Sequence, residues 1–116
     1  MDETHMDRSV LNALREVMED GYPDLLDIFL ADSEERLKVL RAADSAALLV
    51  ETAHSFKGSS SNMGAVMLTE LCHRLEQQAS SSSCTGVQEL VREIDREFAA
   101  IRPLYEAERQ RCPAKI

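Results

Sequence analysis

Leucine, isoleucine, valine, methionine and phenylalanine recur at intervals of three and four residues through most of this chain. Nowhere do apolar and polar residues alternate with period two over a useful length. That spacing lines up side chains on one face of a helix, not of a strand. Val10, Leu11, Leu14, Val17 and Met18 make the first stripe, after Asp7, a good cap for a short helix. Glu19 to Tyr22 interrupt it, and Pro23 suits the first turn of a second helix, where a missing N–H costs no intrahelical bond. This helix runs to about Ala43, with Leu25, Leu26, Phe29, Leu30, Leu37 and Leu40 inward and Asp32, Glu34, Glu35, Arg36 and Lys38 mostly on the wet side. Asp44 or Ser45 can cap a third helix, which Gly64 closes near Asn62 and Met63 by taking the left-handed conformation.

Ala65, Leu68, Leu71, Cys72, Leu75 and Ala79 define the inner stripe of a fourth helix, which makes Cys72 a core thiol before a reactive one. The serines from Ser80 to Ser83 read as a loop, and Thr85 with Gln88 as a T-x-x-Q capping box. Val87, Leu90, Val91, Ile94, Phe98 and Ile101 then form a fifth helix, which Pro103 ends or kinks. The residues up to Thr4, those around His5 and the tail from about Arg109 read as loose. The expected fold is an all-α antiparallel four-helix bundle with a short additional N-terminal helix. It is one domain, 1–116, with an ordered core of about 7–108.

Composition narrows the partners. A formal charge of −8 repels a phosphate backbone or an anionic lipid surface, so neither nucleic acid nor membrane is expected and a protein partner is. No apolar run approaches a transmembrane length, and the acidic N-terminus lacks the basic start of a signal peptide, which points to the cytoplasm. Cys72, Cys84 and Cys112 are odd in number and fit no disulfide framework or CxxC motif, so they read as free thiols.

The third helix holds the stretch that its structural duties do not explain, His54 to Ala65, HSFKGSSSNMGA. With Leu49, Ala53, Phe56, Ser60 and Met63 facing the core, Lys57 lies at about 80° from the core direction, Ser61 at about 120°, His54 at about 140° and Gly58 at about 180°. The imidazole therefore points outward. Gly58 costs roughly 1 kcal/mol of helix propensity relative to alanine, and four poor helix formers follow it. A helix weakened on its outer face is a place to expect function. Gly58 would let a bulky partner approach, and Lys57 would offset an anion on the ring. Spacing leaves open a phosphoryl or other anionic role and an idle surface histidine.

Ala53 to Ala65, AHSFKGSSSNMGA, closely resembles the signature of histidine-containing phosphotransfer (HPt) domains, A-H-x-L-K-G with a Gly-hydrophobic or Gly-Ala pair closing the helix, Phe56 standing where Leu is common. Leu71 to Glu76, LCHRLE, resembles the fourth-helix segment of that family, and the five-helix plan covers nearly the whole chain. The resemblance implies a single HPt domain in which His54 takes a phosphoryl group on Nε2 from a receiver-domain aspartate and passes it to another receiver. Lys57 would offset the phosphoryl charge and Gly58 would admit the receiver. Glu76, twenty-two positions after the histidine and often Gln in the family, would contact the ring, with Gln77 and Gln78 behind it as candidates. The implied partners are receiver domains of hybrid sensor kinases and response regulators. The receiver would bring Mg²⁺, and this chain no cofactor of its own. It would be a monomeric, stand-alone carrier and not an enzyme. The alternative is a non-catalytic helical-bundle adaptor that holds a signalling partner.

Other chemistry finds little footing. Neither His73, about 140° from the core of its own helix, nor His5 has ligand neighbours at i+3 or i+4 that make a convincing metal site. The lone E-x-x-H, Glu70 to His73, is half of what a di-iron bundle needs. There is no GxSxG elbow and no phosphate-binding Gly-rich loop, so neither a hydrolase nor an ATP-dependent kinase is expected.

Overall fold

In the computed structural model, which describes residues 5–81 and 85–112, the Asp7 carboxylate accepts the backbone N–H of Ser9 at 3.0 Å and starts α1, Arg8–Met18. One turn of 3₁₀ helix, Glu19–Gly21, leads into α2, Tyr22–Ala42, with Pro23 in its first turn. Ser45 caps α3, Ala46–Asn62, by accepting the N–H of Leu48 at 3.2 Å. The helices α4, Val66–Ser80, and α5, Val87–Gln110, complete the chain. α2 packs on α3, α3 on α4, α4 on α5 and α5 back on α2, so the four long helices close a ring around one core while α1 leans on α2. Leu26, Phe56, Leu68, Leu75, Ile94 and Ile101 are fully buried there. The all-α four-helix bundle with its short leading helix is borne out.

Three local readings need correction. The Thr85–Gln88 capping box does not form: α5 is capped by Gly86 at φ +79°, and Gln78 Nε2 donates to the Thr85 carbonyl instead. The chain reverses through a left-handed position open to glycine, which takes the place of a side-chain cap. Pro103 does not end the helix, which runs on to Gln110: it lies on the exposed face, and Tyr105 and Glu108 are buried beyond it. The ordered packing also extends further than 7–108. Met6 is fully buried, His5 Nδ1 stands 2.7 Å from Glu97 Oε2, and Arg109 Nε donates to the Asp27 carboxylate at 3.0 Å. The readings for residues up to Thr4, for Ser82 and Ser83, for Cys84 and for the tail beyond Cys112 lie outside the described residues.

Two buried glutamates account for much of this end packing. Glu108 falls in the phase of the Ile94, Phe98, Ile101 and Tyr105 stripe, where an apolar residue is expected. Its carboxylate accepts from Tyr22 Oη at 2.8 Å and from Arg111 at 3.2 Å, with Arg8 at 3.5 Å. A buried carboxylate persists where such partners replace its water.

Candidate functional site

The C-terminal end of α3 is fixed first. Gly64, at φ +72°, donates to the Ser61 carbonyl at 3.1 Å, and Ala65 reaches back to the Ser60 carbonyl at 2.9 Å. This is the paired closure of a Schellman motif, which satisfies carbonyls the helix end would leave free. Buried Tyr105 of α5 donates its hydroxyl to the Met63 carbonyl at 2.7 Å, and the Asp7 N–H reaches the Gly64 carbonyl at 2.7 Å. With Phe56 and Met63 buried, the rotation of α3 is set, and its opposite face is presented to solvent.

On that face His54 is 68% exposed, and Gly58 and Ser61 are exposed with it, as the helical phase predicts. Lys57 is half-buried against α4. A Cβ built on Gly58 meets nothing within 4 Å, so no contact among the described residues requires glycine there. The neighbouring helix supplies Glu76. One carboxylate oxygen, Oε2, stands 2.9 Å from His54 Nδ1, and the other, Oε1, stands 2.7 Å from Lys57 Nζ. The latter is a charge contact and not an aligned hydrogen bond. Lys57 foremost, with His54 adding to it and burial opposing, holds the Glu76 carboxyl below the usual carboxylate range.

Those contacts decide the chemistry of the ring. An ionised carboxylate can accept but not donate, so at 2.9 Å Nδ1 must carry the proton. In a neutral imidazole that leaves the lone pair on Nε2, at the ring's outer edge. The site thus combines an exposed imidazole whose free lone pair could act as a nucleophile, a cation one helical turn away and a gap where a side chain is missing. Glu76 contacts the ring at Nδ1 and not at Nε2.

The remaining candidates separate from this cluster. Gln77 is exposed, and Gln78 turns to the Thr85 carbonyl, so neither takes the ring contact. His73 is exposed on α4, and His5 is engaged with Glu97. Cys72 is buried one turn before Glu76, and burial pushes its thiol up to about 12, which keeps it a neutral core group. Among the described residues no three His, Cys, Asp or Glu side chains gather as a metal site, and no helix is long and apolar enough to cross a membrane. The contact that sequence reading missed is Lys57 with Glu76. The sequence carries half of its signal: Lys57 lies one turn from His54 on the same flank, but which α4 side chain meets it depends on how the two helices face each other.

Comparison with known proteins fits this geometry. Residues 24–102 match the model of the Hpt domain family. Among solved structures, the chain is similar to histidine-containing phosphotransfer protein B (HptB) from Pseudomonas aeruginosa PAO1. The two share 51% identity and a TM-score of 0.90, covering 94% of this chain and 97% of that one. Comparison with curated proteins finds no match.

Proposed function

The chain belongs to the Hpt domain family, and from that membership we propose that His54 is the residue that carries the phosphoryl group between receiver domains. The observation that carries the assignment is an exposed imidazole whose Nδ1 is held by Glu76, leaving Nε2 the free lone pair, on a helix face left open at Gly58. In the forward step the Nε2 lone pair attacks the phosphorus of a receiver's aspartyl phosphate, and the P–O bond breaks with its electron pair remaining on the aspartate. The resulting phosphoramidate is itself a phosphoryl donor, so the reverse geometry serves a second receiver. Mg²⁺ and the acidic site that neutralise the transferring group belong to the receiver. Receiver domains of hybrid sensor kinases and of response regulators are the partners this reading assigns, with a single copy of the chain carrying the group between them.

The test is transfer itself. Incubation with a panel of receiver domains radiolabelled on aspartate is expected to move label onto this protein in a form lost in acid and retained in alkali. Label that stays on every receiver would leave a binding-only adaptor as the better description.

Two side chains give graded predictions. Lys57→Ala is expected to slow transfer by roughly three- to tenfold, about 0.7 to 1.4 kcal/mol of transition-state stabilisation, a modest figure because the ammonium is partly solvated and shared with Glu76. Rapid-quench kinetics with one receiver would measure it, and unchanged rates would remove Lys57 from the mechanism. Gly58→Ala is expected to stabilise the free protein by about 0.5–1 kcal/mol, since its Cβ would stand in open space on a helix, yet to weaken receiver binding. Equal receiver affinity for both forms in calorimetry would show that the gap at Gly58 has no part in docking.

A further inference from the structure

Glu76 does more than accept a hydrogen bond. A glutamine in the same place could still accept from Nδ1 but more weakly and without charge, whereas the carboxylate sets a negative charge against that edge of the ring, 2.9 Å from Nδ1. The consequence lies in the phosphorylated state. When Nε2 bonds to phosphorus and Nδ1 keeps its proton, the imidazole ring becomes cationic. When the N–P bond later breaks, its electron pair returns to Nε2 and the ring leaves as neutral imidazole. Stripped of the Nδ1 proton, it would have to leave as imidazolate, a far poorer leaving group. No proton needs to cross in either direction provided Nδ1 holds its own throughout.

We propose that the ionised carboxylate of Glu76 keeps the Nδ1 proton on the phosphorylated ring, so that this carrier holds its phosphoryl group briefly and passes it on quickly. The inference rests on the assignment of His54 as the phosphorylated residue. Among the charged groups around the ring, Lys57 of α3 opposes the effect, but it meets the other carboxylate oxygen, through an imperfectly aligned contact. A phosphoryl dianion on Nε2 competes for that ammonium, and every step of Lys57 toward it leaves more of the Glu76 charge for the ring. Glu51, one turn before His54 on α3, adds to the negative side. On α4, His73 lies one turn before Glu76, and Glu70 pairs with Arg74 at 3.3 Å. Arg36 of α2 is directed to Ser59 at 3.4 Å.

Glu76→Gln keeps the size and the acceptor and removes the charge. The full chain and this variant are phosphorylated with phosphoramidate, a small-molecule donor that needs no receiver. Loss of phosphohistidine is then followed from about pH 6 to about pH 10, with circular dichroism confirming the fold of both. The variant is expected to lose its phosphoryl group about three- to tenfold more slowly near pH 8, with the pH at which loss slows moved down by about half to one unit, a range tempered by the exposure of the ring. Onward transfer to a receiver should slow by the same factor. Coincident pH profiles for a phosphorylated wild type and variant would overturn the inference alone. A wild type that takes up no phosphoryl group at His54 would overturn the underlying assignment and this inference with it.

Discussion

His54→Gln is expected to reduce label transfer from any phospho-receiver by on the order of a thousandfold or more, to the background of the assay, because it removes the nucleophilic nitrogen and leaves an amide of low basicity. The fold should not suffer. His54 is 68% exposed and its contact with Glu76 lies at the surface, where such pairs contribute little, so stability is expected to stay within about 0.5 kcal/mol of wild type. That contrast separates loss of chemistry from loss of structure, and urea unfolding run beside the transfer assay measures it. Receiver binding should also persist, since the surrounding face is unchanged. Label that still accumulates on the variant in acid-labile form would move the assignment to another histidine, with exposed His73 on the adjacent helix the next to test.

The helices were legible because apolar spacing is a direct record of which face is buried. Phe56, Ser60 and Met63 follow that record at α3, and the same spacing alone places His54 outward. The resemblance then singles out that histidine as the candidate, and points to Glu76 by its position although glutamine is common there. What spacing does not carry is the behaviour of groups that meet across helices. The Lys57–Glu76 contact depends on the azimuth of α4 relative to α3, which a one-helix wheel leaves undefined. The burial of Glu97 and Glu108 is also unreadable from polarity, which marks both as surface residues. Their partners His5, Tyr22 and Arg8 come from more than eighty residues away in the chain. Turn chemistry misled at Thr85, where a capping-box pattern was overridden by the left-handed glycine beside it. At Pro103 a helix-breaking residue was tolerated because it faces water and buried side chains follow it.

Gly64→Ala is expected to cost about 2–4 kcal/mol, the largest stability loss among the substitutions considered, although it adds a single methyl group. Left-handed backbone at φ +72° costs an L-residue roughly 1–2 kcal/mol before any contact is considered. The new Cβ would also stand 2.9 Å from the Asp7 carbonyl oxygen and 3.1 Å from Val10 Cβ. Neither can move away cheaply. Asp7 is held by its own N–H on the Gly64 carbonyl at 2.7 Å, it caps α1, and Met6 before it is fully buried. The methyl group must therefore displace the N-terminal segment from the end of the helix that carries His54. Denaturant midpoints should fall with little change in slope, and amide exchange should rise first at Asp7 and at the Ser59 to Ala65 closure. Gly58→Ala, six residues earlier and inside α3, is expected to change stability in the opposite direction. Gly58 weakens a helix interior, whereas Gly64 closes the helix, and of the two only Gly64 answers to a contact and a backbone angle among the described residues. If both alanines stabilise the protein, the docking of the N-terminal segment on the turn at Gly64 is not the constraint that the geometry describes. If both destabilise it, Gly58 has a structural duty inside the chain, and the gap beside His54 no longer argues for a partner.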